Sequence, residues 1–306
     1  HPLPASTLKL CDASDAIYFG SVGGPRYDKI PNPNLRPERG ALLPLRKRYT
    51  LYANVRPAVV YPGLEKRSAV KEEVIKGMDL IVVRELVGGA YFGKKKLMAS
   101  SAYDVISYDK IQIERVLRFA FESAMARGRH LTLVHKANVL LTSVLWKRVW
   151  DKVRLRYPKV RVDDCYVDAF TMYLISRPRD YDVVVTENMM GDIITDEAAQ
   201  VTGSIGLIPS ASLGPRRTRY GVFGLFEPSH GSAPDIAGKD LANPLATILS
   251  GALMLRYAFR ADKAAARVES AVRTVLAKGL RTRDLAGPKA KALGTQAMSA
   301  AVLKAL

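Results

Sequence analysis

The segment YDVVVTENMMGDIITDEAAQ, residues 181–200, joins an apolar strand-like run directly to a stretch with helical spacing. The run DVVVTEN (182–188) has the length of a strand and ends in polar residues. If the following residues form a helix, Asp192 and Asp196 lie on one face, where like charges repel each other. A strand that leads directly into a helix is typical of α/β proteins, which bind ligands where their strands end.

The same alternation recurs along most of the chain. Further strand-like runs are AIYFGSV (16–22), MDLIVVREL (78–86), HLTLVHKAN (130–138) and VRVDDCYVD (160–168). Helical spacing of apolar residues occurs at 113–128, 143–158, 244–259, 261–279 and 296–306. The alternation predicts an α/β fold. Residues 204–244 are rich in Gly, Pro and Ser, so we predict mostly loop there.

Composition restricts the classes of function. The chain has 306 residues and a formal net charge of +18. Its basic clusters are short and scattered without interleaved aromatic residues, so we expect no nucleic-acid partner. No apolar run is long enough to cross a bilayer, and the start lacks the pattern of a signal peptide. We therefore expect no membrane partner and a cytoplasmic location, with an organellar location open if an upstream targeting segment exists.

The two aspartates allow two interpretations. Asp192 follows Gly191 and would be favoured as a cap at a helix N-terminus. Alternatively, Asp192, Asp196 and Asp168 form a hard oxygen site suited to Mg²⁺ or Mn²⁺. The second interpretation treats the three carboxylates as lacking a nearby basic partner, since none is close in sequence.

Other polar residues allow similar alternatives. Arg46, Arg56 and Arg84 are either surface arginines or a set that binds carboxylates bidentately. Lys136 follows an apolar strand, where it either extends to solvent or takes part in proton transfer. Tyr91 follows a Gly88-Gly89 pair that allows close approach to a ligand. In the loop 230–244, backbone amides suit a phosphate and Asp235 suits a ribose hydroxyl.

Several segments together resemble the isocitrate/isopropylmalate dehydrogenase family of β-decarboxylating dehydrogenases. They are SVGGPRYD, LRPERGALLPLRK, LYANVRP, VRELVGGAYFG, KANVL, YVDAFTM, TENMMGDIITDEAA, TGSIGLIPSAS and EPSHGSAPDIAGKDLANP. The resemblance implies a two-domain α/β fold with a mixed sheet flanked by helices, which is not a Rossmann fold. Residues 1–50 and 203–306 would form a cofactor-binding domain, and 51–202 a domain for substrate, metal and dimerisation.

The resemblance also implies an activity, the NAD-dependent oxidative decarboxylation of 3-isopropylmalate in leucine biosynthesis, with Mg²⁺ or Mn²⁺. D-malate, tartrate or homoisocitrate as substrate, or a catalytically impaired homologue, are the alternatives. Arg46, Arg56, Arg84 and Asp168 would bind substrate, and Tyr91 and Lys136 would be catalytic. Asp168, Asp192 and Asp196 would hold the metal, with Lys136 and Asp168 contributed by the second subunit of a homodimer. The implied cofactor-binding residues are Glu38, Asn138, His230, Gly231, Ser232, Ala233, Pro234, Asp235 and Asn243.

Three features depart from the family pattern. The family begins several dozen residues earlier, with a strand and a GDGIGPE-like turn, so the cofactor domain is expected to be incomplete here. His135 occupies the position where the family usually has Asp, directly before Lys136. The loop FGKKKLMASSAYD (92–104) is basic and short.

Overall fold

The computed structural model describes residues 2–287 and 290–306, which build one large mixed sheet with helices on both faces. The strands are β1 Ile17–Tyr18, β2 Ala53–Val59, β3 Asp79–Glu85, β4 Lys95–Leu97, β5 Ala102–Asp104, β6 His130–His135, β7 Arg161–Tyr166, β8 Val183–Thr186, β9 Pro209–Arg217 and β10 Val222–Pro228. The helices are α1 Ala5–Ala13, α2 Pro25–Asp28, α3 Leu43–Arg48, α4 Glu72–Ile75, α5 Lys110–Met125, α6 Leu141–Val153, α7 Val167–Ser176, α8 Asn188–Thr202, α9 Leu245–Phe259, α10 Asp262–Ala277 and α11 Thr295–Ala305.

Eight of the strands form a sheet with the order β1-β10-β9-β2-β3-β8-β6-β7. The neighbours β3, β8, β6 and β7 are parallel, whereas β2 is antiparallel to both β3 and β9. Strands β4 and β5 form a separate antiparallel hairpin. The predicted mixed α/β sheet is therefore confirmed.

The central strands are apolar because both of their faces are covered, as is usual for parallel strands. On β3, Ile81 and Val83 pack on the side of α5 and α6. Leu80 and Val82 alternate with them and pack on the side of α7 and α8. This alternation also determines that Arg84 emerges on the α8 side of the sheet.

Helix α5 begins with a capping box, in which Asp109 accepts from the Gln112 N–H and Gln112 accepts from the Asp109 N–H. Its buried stripe ends in an aromatic cluster. The Phe121 ring stacks on Tyr157 at 4.7 Å and lies 5.1 Å from the ring of Trp150, on α6. This cluster joins α5 to α6 on one face of the sheet.

The prediction that residues 204–244 are mostly loop is wrong for the first half of this segment. Strands β9 and β10 form an antiparallel pair within the sheet. Ser210 and Ser212 are buried there, and both accept hydrogen bonds from Asn54 Nδ2. Gly214 lies against the backbone of Tyr49, where a Cβ would approach the carbonyl oxygen to 2.6 Å. Small residues in this segment therefore allow β9 to pack closely against β2 and the end of α3 and do not mark turns.

The five strands and the helices that periodicity predicted are all present; the strands are shorter than predicted, and the helix bounds differ by a few residues. Strand β2 was not predicted, since Arg56 and Pro57 interrupt its apolar pattern. The division into the domains 1–50 with 203–306 and 51–202 stays a prediction. Among the described residues, no helix combines the length and apolarity that a membrane crossing requires.

Replacing Phe121 with Ala should lower the free energy of unfolding by about 3–5 kcal/mol, because it empties a fully buried aromatic site. Urea denaturation followed by circular dichroism measures the change. Ile111→Ala is the matched control on the same helix, since Ile111 is 76% exposed. A loss for Phe121→Ala no larger than that of the control would contradict the role of the aromatic cluster.

Candidate active site

Arg84 occupies the end of β3 and is the centre of a polar cluster, although only 1% of its surface is exposed. Its Nε and Nη2 donate to Asn188 Oδ1 at 3.0 and 2.8 Å, and its Nη1 donates to Asp192. The aliphatic part of Arg84 lies on Gly191, where a Cβ would come within 2.6 Å of Arg84 Cγ. The first turns of α8 therefore shape the position of this guanidinium.

Asp192 receives two further contacts on the same side of the sheet. The Tyr91 hydroxyl donates to its Oδ2 at 2.7 Å, and Arg56 Nη1 lies 3.5 Å from its Oδ1. Burial alone would raise the pKa of Asp192, but Arg84 and Arg56 outweigh burial and lower it. The expectation that these carboxylates lack a basic partner is wrong, because strands distant in sequence supply two arginines.

The interpretation of Asp192 as a helix cap is also wrong. Helix α8 begins at Asn188, and its N-cap is Glu187, whose side chain accepts from the Met190 N–H at 2.7 Å. Asp192 therefore lies more than one turn inside the helix and faces the arginines.

The structure brings all three predicted arginines to this cluster. Arg56 donates to Asn54 Oδ1 at 2.9 Å and to Thr195 Oγ1 at 2.6 Å. Burial lowers the pKa of Arg56 and of Arg84, and the positive charge of Arg46 lowers both further. Arg46 itself pairs with Glu227 at 3.0 Å, while its buried Nε has no partner among the described residues. Three guanidiniums close together, each on a buried residue, suit an anionic ligand.

Asp196 lies one turn beyond Asp192, with its side chain 63% exposed and 3.8 Å from Arg56. Burial raises its pKa, repulsion from Asp192 raises it further, and Arg56 acts in the opposite direction. Asp192 and Asp196 lie on one helix face and repel each other, and Asp196 is open to solvent. Carboxylates of this kind are ligands that Mg²⁺ binds in proteins.

Lys136 and Asp168 form a second group, joined by an ion pair of 2.8 Å. Asp168 lies in the first turn of α7, directly after β7. Within the described part of a single chain, no group of three or more His, Cys, Asp or Glu side chains is arranged to hold a metal. The chain therefore brings Asp192 and Asp196 together but pairs Asp168 with Lys136 instead.

Glu85 is a buried residue that the sequence interpretation did not assign to the site. Its Oε2 accepts from the N–H groups of Val87 and Gly88 at 3.1 and 2.7 Å, and so holds the turn that leads to Tyr91. Burial raises the pKa of Glu85 to about 7, although the Gly88 N–H and Arg115 favour the charged form. The signal available in the sequence was its position beside Arg84 at the end of an apolar strand.

A second region collects residues predicted to bind the cofactor. Ser21 Oγ donates to the His230 carbonyl and Ser232 Oγ donates to the Gly23 carbonyl, both at 2.9 Å. Gly23 has a φ of +102°, and a Cβ there would collide with the Glu38 carboxyl. The structure thus places Glu38 and the loop after β10 around one glycine turn, and the sequence interpretation did not assign that turn to the site.

A cavity of about 1390 Å³ adjoins this turn and is lined in part by Ser232, Pro234 and Asp235. His230 Nε2 is buried and has no hydrogen-bond partner among the described residues. Asn243 lies apart from this cavity, donating to Asp284 and capping the start of α9 through the Leu245 N–H. Asn138 is exposed in the turn that follows Lys136.

Replacing Glu85 with Gln should alter how stability depends on pH. The native pKa of about 7 lies above the ordinary value of about 4.3 for Glu, so the stability that Glu85 contributes at low pH is lost as pH rises to 7. The Gln variant does not lose this stability. Its free energy of unfolding relative to that of the wild type should therefore rise by on the order of 3 kcal/mol between pH 4.5 and 8. Urea denaturation at both pH values tests this, and parallel pH profiles for the two proteins would contradict it.

The isocitrate/isopropylmalate dehydrogenase family model matches residues 1–302. The chain is 52% identical over 308 residues to the 3-isopropylmalate dehydrogenase of Moorella thermoacetica, covering 99% of this chain and 84% of that protein. It is 52% identical over 292 residues to the enzyme of the same name from Haemophilus influenzae strain ATCC 51907, covering 94% and 80%. The crystal structure of isocitrate dehydrogenase from Methylococcus capsulatus matches with a TM-score of 0.86 and 36% identity, covering 99% of this chain and 85% of that one. The chain belongs to the isocitrate/isopropylmalate dehydrogenase family.

Proposed function

We propose that the protein oxidises and decarboxylates 3-isopropylmalate with NAD as electron acceptor. The observation that carries the proposal is the group of three buried arginines around Asp192 and Tyr91. Relatives with about half of their residues identical over nearly the whole chain are named 3-isopropylmalate dehydrogenase, which supports the same reaction.

The arginines account for recognition of the substrate carboxylates. Arg84 is held by Asn188, and Arg56 is held by Asn54 and Thr195, so both guanidiniums are oriented before a ligand arrives. Each buried guanidinium has its pKa lowered by desolvation, and a bound carboxylate reduces that electrostatic cost. A 2-hydroxy dicarboxylate offers two carboxylates to this cluster.

The donors fit the two groups that the family implies. Asp192 and Asp196 would hold Mg²⁺ or Mn²⁺, together with Asp168 from a second copy of the chain, because Asp168 does not reach them within one chain. Glu38 and residues 230–235 would bind NAD, and the glycine turn and His230 Nε2, which has no partner among the described residues, are consistent with a ligand there. Asn138 and Asn243 do not line the cavity beside this turn, so their contribution to NAD binding stays a prediction. When bound, NAD accepts the hydride, and the metal ion polarises the oxygen atom of the substrate's hydroxyl group.

Two side chains would handle the protons. Burial and the bond to Asp192 raise the pKa of Tyr91, so its hydroxyl is protonated at neutral pH and can supply a proton to the enol left after CO₂ departs. Lys136 of a second copy would take part in removing the proton of the substrate hydroxyl, through water or a neighbouring aspartate. A homodimer is supported by the exposed apolar side chains of Met172 and Ile175 on α7 and Ile193 on α8, beside the acids.

The reaction is tested by following NADH formation with 3-isopropylmalate in the presence of Mn²⁺. We expect turnover that EDTA abolishes and Mn²⁺ restores. D-malate, tartrate and homoisocitrate, assayed in parallel, should react more slowly. Preference for one of these acids would assign a different substrate. Absence of turnover on all four would support a catalytically impaired homologue, and turnover in EDTA would exclude the metal assignment.

Asp192→Asn should reduce kcat/KM by at least about a hundredfold, because it removes a metal ligand and the partner of Tyr91. Without ligands it should also lower the free energy of unfolding by about 1–2 kcal/mol, because Arg84 and Arg56 lose a counter-charge. Glu197→Gln on the same helix is the matched control, since Glu197 makes no hydrogen bond through its buried Oε2 among the described residues. Equal activity of the two variants would count against Asp192 as a ligand.

A further inference from the structure

His135, at the end of β6, lies beside the proposed catalytic lysine and is buried, with 3% of its surface exposed. Its Nε2 lies 2.8 Å from Asp164 Oδ2 on β7. Its Nδ1 lies 3.1 Å from the backbone nitrogen of Ala137, the residue after Lys136. The imidazole therefore connects the strand next to it with the turn that carries Lys136.

These two bonds define the protonation state of the ring. A backbone N–H can only donate, so Nδ1 must accept from Ala137 and carries no proton. A carboxylate can only accept, so Nε2 carries the proton and donates it to Asp164. Both neighbours therefore select the same neutral tautomer, and His135 adds no positive charge next to Lys136.

Asp164 is itself well supported as the acceptor. Lys147 Nζ, on α6, donates to the same Oδ2 at 2.6 Å. Burial raises the pKa of Asp164, but the bonds from Lys147 and His135 outweigh burial and lower it. Tyr166 is a further neighbour, and its ring meets the imidazole edge-on at 5.2 Å.

Other hydrogen bonds hold the turn after His135 through the backbone of Lys136. The Lys136 N–H donates to Ser143 Oγ on α6 at 3.1 Å. The Lys136 carbonyl accepts from the N–H groups of Val139 and Leu140 at 3.0 and 2.9 Å. The Ala137 N–H is the backbone group of this turn that His135 holds, so its loss would leave the turn held through Lys136 and less constrained at Ala137.

We infer that His135 is a positioning residue for Lys136, acting through the Ala137 N–H and held in its neutral tautomer by Asp164. This inference rests on the proposed function of Lys136 in removing the substrate's hydroxyl proton.

Three substitutions separate the two bonds of the ring. His135→Asn keeps an acceptor at the position of Nδ1 and loses the contact with Asp164. His135→Gln keeps a donor near Asp164 and loses the acceptor for Ala137. His135→Ala loses both. If His135 acts through Ala137, the Asn variant should retain function and the Gln variant should lose it. If His135 acts only by pairing with Asp164, the opposite result is expected.

Steady-state kinetics with 3-isopropylmalate, Mn²⁺ and NAD measure the consequence for the full-length protein. We expect kcat of the Gln and Ala variants to fall about 10–100-fold with KM changed less than about threefold, since misplacing a group that takes part in proton removal affects the chemical step. The Asn variant should stay within about threefold of the wild type in kcat. Retention of kcat by the Gln variant, or its loss in the Asn variant, would overturn the inference.

Hydrogen exchange of the ligand-free proteins, read by mass spectrometry over residues 135–142, gives a result that does not depend on turnover. Exchange in this segment should be faster in the Gln and Ala variants and unchanged in the Asn variant, with exchange in α8 unaffected in all three. Unchanged exchange in the Gln variant would overturn the inference even if activity fell. If the wild type does not turn over 3-isopropylmalate, the proposed function fails, while the exchange data still decide whether His135 holds the turn.

Discussion

The burial of Arg84 between β3 and α8 is the constraint on which the site depends. A guanidinium with 1% exposure needs hydrogen-bond acceptors in fixed positions, because an unpaired buried charge is strongly destabilising. Asn188 and Asp192 provide the acceptors from successive turns of one helix, and Gly191 leaves room for the aliphatic chain. The strand end, the helix start and the acidic face are therefore positioned by one side chain.

This constraint also explains the pair of aspartates. On an isolated helix, Asp192 and Asp196 repel each other and give a weak site. In the fold, Arg56 lies near both and Arg84 binds the first, so the acids are held in place before a ligand arrives. Arg56 and Arg84 formally balance Asp192 and Asp196, and a dicarboxylate together with a divalent cation would add no net charge to this group. In the proposed function, recognition of substrate and of metal would be two parts of one electrostatic arrangement.

Lys136, which is proposed to take part in proton removal, belongs to a different network. Lys136 pairs with Asp168, and His135, Asp164 and Lys147 form a connected chain of polar groups beside it. These three polar groups join the ends of β6 and β7 to α6, so the turn that carries Lys136 is supported by three elements. If a second copy brings this turn to the arginine cluster, the rigidity of the turn determines how accurately Lys136 reaches the substrate.

The periodicity of the sequence by itself determined the α/β class, the five strands that were predicted and the long helices, because strands buried on both faces and amphipathic helices leave strong local patterns. The motifs determined the family and identified the three arginines. Tertiary structure alone decided that β9 and β10 are strands, since their Gly and Ser residues are explained by Tyr49 and Asn54, which are distant in sequence. It likewise decided that Asp192 pairs with Arg84 and that His135 faces Asp164, because electrostatic and hydrogen-bond partners across a sheet depend on strand register, which local sequence does not specify.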